Sequence, residues 1–143
     1  MAVEQYVVCE IHGERYCIKT SEVKEIKRMK EISVHELPNV PSYIDGIINL
    51  RGDVVPIINL REKFEIESKA YDKETRIVIA SVEDVLIGML VDRTIGIVEI
   101  GDLSIVEIVE EAKVDTEFIS GVGKIENTVL FIFNLQKLIE RRN

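Results

Sequence analysis

Apolar and polar positions alternate along this chain in short runs rather than in long helical stripes. Residues 5–11 and 15–19 are β-rich and are joined by a turn at Gly13, which predicts a hairpin. Asn49-Leu50-Arg51-Gly52-Asp53 lies between two apolar runs and reads as a second hairpin tip, with Gly52 supplying the positive φ. Pro56 interrupts the returning run Val54–Ile58, which places that strand at an edge or at a bulge. Helical signals are brief. Thr20 or Ser21 can cap one or two turns through Val23 and Ile26. Asn59 can cap a turn with Glu62 three residues on, and Leu60 and Phe64 then meet at i,i+4. Asn134 repeats the device, with Leu135, Leu138 and Ile139 as a buried stripe and Arg141 and Arg142 at the favourable end of the helix dipole.

The pattern is written twice. Tyr43–Leu60 aligns with Phe118–Leu135 at an offset of 75 residues, with identities at Ile44/Ile119, Gly46/Gly121, Ile57/Ile132, Asn59/Asn134 and Leu60/Leu135. Leu50, Val54 and Val55 coincide with the apolar Ile125, Val129 and Leu130, whereas the Arg51 tip faces Glu126-Asn127-Thr128. More loosely, Tyr6–Ile18 resembles Arg76–Val91, and Val23 and Ile26 correspond to Ile95 and Val98 at an offset of 72. A duplicated unit of about 70 residues, with about five strands each, is too small to build a sufficient core alone, so the copies are expected to pack together. Many short strands with capping helical turns suggest an all-β fold of small closed barrels.

Charge and composition narrow the function. The 143 residues are 46% hydrophobic and carry a net charge of -8, an ordinary globular composition that disfavours disorder. That charge, with 6% aromatic residues, also opposes the basic aromatic groove of a nucleic-acid-binding barrel. The longest apolar run, Val85–Val91, has strand length and falls far short of the roughly 20 residues that span a bilayer. The N-terminus lacks the basic start and apolar stretch of a signal peptide, so a cytoplasmic location is expected. There Cys9 and Cys17 are expected to be reduced and buried; a three-residue loop between their strands would set the thiols face to face.

Catalytic signals are thin. His12 and His35 are not at ligand spacing from each other or from either cysteine, and neither a phosphate-binding glycine loop nor a serine-nucleophile motif is present. Glu107, Glu110 and Glu111 read as a solvated face. The unusual feature is Arg51, a lone cation projecting from a turn between very apolar strands, where it can serve as an interface anchor.

The segment Gly46-Ile-Ile-Asn-Leu-Arg-Gly-Asp-Val-Val-Pro-Ile-Ile-Asn-Leu-Arg61 closely resembles the signature of the CheW family of chemotaxis coupling proteins. Ile87-Gly-Met-Leu-Val-Asp92 and Phe118-Ile-Ser-Gly-Val-Gly123 resemble later motifs of the family, in the right order. The resemblance spans essentially the whole chain as one CheW-like domain. It implies two SH3-like five-stranded β-barrels from the duplication, with short helical turns and a C-terminal helix. The halves divide at about 14–70 and 71–143; the residues leave open which lobe takes the N-terminal strand 1–13, and family analogy assigns it to the second.

Functionally, the resemblance implies a non-catalytic adaptor without cofactor or metal. It would join the cytoplasmic tips of methyl-accepting chemoreceptors to the regulatory domain of the histidine kinase CheA, and be recruited to membrane arrays only through those receptors. A scaffold of a non-chemotactic sensory pathway is the alternative. Partner-binding positions implied by the motifs are Asn49, Leu50, Arg51 and Gly52 at the tip, with Gly46 just before it. Val23, Glu25 and Ile26 match a further contact segment, Arg76 and Ile77 a partner-contacting strand, and Gly88 and Gly121 the family's glycines.

Overall fold

The computed structural model describes residues 3–101, 105–106 and 117–139. Glu107, Glu110, Glu111, Arg141 and Arg142 lie outside the described residues. The chain is mostly β. In order it forms β1 (Val3–Ile11), β2 (Glu14–Lys19), β3 (Val23–Arg28), β4 (Ile44–Leu50), β5 (Asp53–Asn59), α1 (Leu60–Lys63), β6 (Arg76–Val82) and β7 (Val85–Val91). It continues through β8 (Arg93–Gly101), β9 (Ile105–Val106), β10 (Ile119–Ile125), β11 (Thr128–Phe133) and α2 (Leu135–Ile139).

Two sheets result, one ordered β3-β6-β7-β5-β4 and the other β8-β1-β2-β11-β10-β9. They are the same design twice. In each, a hairpin with a register shift near its start (Ile44/Gly46 in β4, Ile119/Gly121 in β10) leads into a strand that pairs in parallel with the preceding sheet neighbour. In each, an asparagine caps the following helix: Asn59 Oδ1 accepts from the Glu62 N–H at 3.2 Å, and Asn134 Oδ1 from the Lys137 N–H at 3.3 Å.

Three apolar cores explain the sequence runs. Ile48, Leu50, Val55, Ile57, Ile77, Ile79 and Leu90 fill the first barrel, and Tyr6, Val8, Cys17, Ile100, Leu130 and Ile132 fill the second. The largest core, which includes Cys9, Ile18, Leu60, Val78, Ala80, Met89, Phe133 and Leu135, draws on both sheets and lies between them. Alternate residues of β1 and β6 thus point into a barrel and into the seam. Both faces are dry, so Tyr6-Val-Val-Cys and Ile77-Val-Ile-Ala are continuously apolar rather than alternating.

The sheets do not follow the halves of the sequence. The boundaries 14–70 and 71–143 assign β2 to the first lobe and β6 and β7 to the second, but β2 pairs with β1 and β11, and β6 and β7 pair with β3 and β5. Each repeat surrenders its first hairpin to the other's barrel. The physical reason lies in the links: β7 and β8 are separated by Asp92 alone, and β2 and β3 by the single 3-10 turn Thr20–Glu22. One residue is too few for a hairpin loop and far too few for a parallel crossover, so the chain must run on from one sheet into the next.

Three local readings are also corrected. The β1–β2 loop holds two residues, His12 and Gly13, both at positive φ, so Cys9 lies opposite Tyr16 and Cys17 opposite Val8. The thiols therefore point to opposite faces, Cys9 into the seam and Cys17 into the second barrel. Pro56 lies in an interior strand: it stands opposite Ile47 of β4, one residue before the parallel ladder with β7 starts at Ile57, so its missing N–H costs that ladder nothing. Val23 and Ile26 belong to strand β3, and the turn before them has no side-chain cap.

Candidate functional site

Arg51 and Gly52 are the two central residues of the β4–β5 hairpin, with φ of 49° and 93°, the pair of positive values that a type I′ turn needs. Asn49 Oδ1 accepts the Gly52 N–H at 2.9 Å and stiffens the tip. The tip reaches the opposite margin of its sheet, where Arg51 Nη2 donates to Glu25 Oε2 on edge strand β3. Lys27 Nζ approaches the other oxygen of Glu25 at 3.2 Å. The hydrogen bond from Arg51, followed by that from Lys27, holds the Glu25 carboxyl below its ordinary value, and Glu25 in turn raises the Arg51 guanidinium. Arg51 itself is exposed, so the pair orients a cation at the surface more than it stabilises the fold.

Sequence-predicted residues thus separate into two groups. Glu25, Asn49, Arg51 and Gly52 come together at the tip, and Ile26 is 41% exposed on β3. Val23 is half-buried against the seam. Leu50 and Ile77 are core residues, and Gly46, Gly88 and Gly121 are buried. A Cβ on Gly46, at φ 153°, would collide with the His35 carbonyl, which bridges to Ile47; one on Gly88 would run into Ile57 and Ile77. These residues shape the surface from beneath. Arg76 is half-buried, its Nη1 donating to the carbonyls of Lys73 at 2.8 Å and Thr75 at 3.0 Å.

Other features escaped the sequence reading. Lys27 could have been found, because it sits two residues from Glu25 and so shares its strand face. Ile95 and Ile97, 39% and 61% exposed on β8, give the second sheet an apolar edge comparable with Ile26 on the first. Arg61 grips Asp92 with two parallel bonds, Nε to Oδ1 at 2.9 Å and Nη2 to Oδ2 at 2.6 Å, and Asp92 Oδ2 also accepts the His12 N–H at 2.9 Å. This clasp joins the first barrel's helix to the crossover and to the second barrel's β1–β2 tip. Nothing local in the sequence signals it. Burial pushes the Asp92 carboxyl up, but the Arg61 and His12 bonds prevail and hold it below its ordinary value.

Chemically, the surface is equipped for docking. Burial drives both thiols up, Cys17 to about 12, so neither offers a thiolate near neutrality. What is presented instead is two open sheet edges with exposed isoleucines, and an ion-paired arginine at the β4–β5 tip. Among the described residues, no helix is long and apolar enough to cross a membrane.

Comparison with known proteins agrees with this architecture. The family model described as CheW-like domain matches residues 5–143. The Chemotaxis protein CheW of Bacillus subtilis is 30% identical over 141 residues, covering 98% of this chain and 89% of that protein. That of Helicobacter pylori is 28% identical over 139 residues, covering 97% and 83%. The crystal structure of the scaffolding protein TtCheW from Thermoanaerobacter tengcongensis superimposes with a TM-score of 0.90 at 30% identity, covering 99% of this chain and 95% of that one. A family match across nearly the whole chain, on two sheets with an ion-paired arginine at the β4–β5 tip, leads to one conclusion: the chain belongs to the CheW family.

Proposed function

We propose that this protein is a non-catalytic adaptor that couples methyl-accepting chemoreceptors to the histidine kinase CheA and helps receptors control the kinase. The observation that carries the reading is Arg51, lifted on a rigid type I′ tip and oriented by Glu25 beside the edge strand β3, within a CheW-like domain. Exposed apolar edges suit a receptor's helical tip and a kinase barrel, because both modes of docking need apolar patches rather than nucleophiles. Contacts of micromolar strength supply only about 8 kcal/mol each, and an assembly that engages several at once gains avidity without new chemistry. Kinase control then amounts to shifting the kinase between states through a shared scaffold.

The test is Arg51→Glu. The side chain is exposed and its ion pair is a surface one, so the variant should fold with little change in stability. Receptor co-sedimentation should fall at least about tenfold, as expected for loss of an arginine anchor. A folded variant that still sediments normally with receptors and CheA would refute the proposal.

A further inference from the structure

We infer that the aromatic cavity bounded by β2, β11 and the residues following α1 binds a small aromatic ammonium compound. The inference goes beyond the coupling reading and does not depend on it. The chain has four phenylalanines, and all of them meet here. Tyr16 stacks on Phe133 at 5.0 Å between ring centroids and on Phe64 at 5.9 Å, and Phe131 tilts against it at 5.5 Å. Phe118 stacks on Phe64 at 5.8 Å. The register explains the gathering. Tyr16 stands beside Phe131 in the parallel β2–β11 ladder, and Glu14, two residues before Tyr16, shares its strand face. Phe64 arrives from the C-cap of α1, and so from the first barrel.

The rings do not close on one another. Phe118 and Phe133 are buried, but Tyr16, Phe64 and Phe131 stay half-buried. Tyr16, Phe64, Phe118 and Phe131 line an open cavity of about 350 Å³, together with Ile66 and the exposed Glu14. That volume suits one small ligand, whereas a protein interface of about 800 Å² per partner would extend far beyond it. The lining also chooses the charge. Among the described residues Glu14 forms no ion pair. Burial, followed by the charge of Glu14, raises the Tyr16 hydroxyl, so the field of the carboxylate reaches the ring. Aromatic faces are themselves negative, so rings and carboxylate favour the same guest, an ammonium, and an aromatic body extends the stack. The fold holds a precedent. Lys63 Nζ lies 3.8 Å from the Tyr43 ring centroid and 4.9 Å from that of Phe118, and Lys63 is not among the residues that line the cavity. The net charge of -8 favours the approach of any cation.

The probe is 2-phenylethylamine, titrated calorimetrically into the intact protein. Binding should saturate with a Kd below about 5 mM. The anion 3-phenylpropionate should bind at least about tenfold more weakly, and so should butylamine, which keeps the charge and lacks the ring. Glu14→Gln, a change at an exposed position, should weaken the amine at least about fivefold and remove its preference over neutral 2-phenylethanol. Phe131→Leu, at a half-buried position, should weaken the amine at least about threefold while the urea midpoint shows the fold intact. The inference fails if the amine does not saturate below that concentration, if 3-phenylpropionate or butylamine binds as well, or if Glu14→Gln binds like the parent. It fails as well if a peptide with an N-terminal phenylalanine binds more tightly than the free amine, which would make the occupant a protein segment. Arg51→Glu should bind the amine normally, which separates this result from any failure of receptor coupling.

Discussion

The two barrels share a plan and differ where the plan touches other things. Both have the β-hairpin with its early register shift, the parallel ladder and the asparagine cap. The first presents Arg51 at its hairpin tip and the second Glu126, also at positive φ. The first helix carries Arg61, which clasps Asp92 across the seam; the corresponding residue of the second helix is Gln136. The crossovers differ too. Asp92, between β7 and β8, is satisfied by three bonds, whereas Thr20, at the equivalent point between β2 and β3, has a buried hydroxyl with no partner among the described residues. The two units kept the elements that fold each of them, and they differ at tips and crossovers, where side chains face solvent or the seam.

The largest break in this comparison should come from Gly46→Ala. A Cβ there meets the His35 backbone, which cannot swing aside as a side chain could, and the φ of 153° is unfavourable for alanine. A loss of about 3 kcal/mol in urea unfolding is expected from overpacking and backbone strain combined.

Next comes Arg61→Ala, which leaves the half-buried Asp92 carboxylate unpaired and should cost about 2 kcal/mol. It should also speed amide exchange at His12, whose N–H bonds to Asp92, more than in the hydrophobic interior of either barrel. Acid sharpens this prediction. Because folding depresses the Asp92 carboxyl below 3.8, the stabilisation is complete well above that pH and disappears as pH falls through the folded value. The stability gap between parent and Arg61→Ala should be constant from about pH 8 to pH 5 and close below about pH 4.

Thr20→Val probes the opposite crossover and should have the smallest effect. Replacing a buried hydroxyl that has no partner among the described residues by a methyl of similar shape should be neutral or stabilising by about 1 kcal/mol. Equal losses at Thr20 and Arg61 would erase the contrast between the two crossovers.

Much of the candidate site was legible because it is local. The Asn49–Gly52 turn follows from four adjacent residues, and its arginine is conspicuous among apolar neighbours. The β3 segment was legible only through resemblance, since Glu25 finds Arg51 across 26 residues of chain. The Arg61–Asp92 clasp was not legible at all. It depends on which strands become neighbours, and no periodicity states that.

By itself, the amino-acid sequence determined most of the strands, the β4–β5 turn, the two helix caps and the doubling, all of which rest on contacts between near neighbours, while β3, read from its local signals as a helical turn, became a strand only by pairing with β6. Only the tertiary structure decided that the hairpins β1–β2 and β6–β7 are exchanged between the repeats. The two copies present nearly equivalent apolar strands to β5 and β11, so local chemistry cannot choose between them. The choice falls to chain connectivity: links of one residue at Asp92 and one turn at Thr20–Glu22 are too short to fold back, and each strand is carried into the neighbouring barrel.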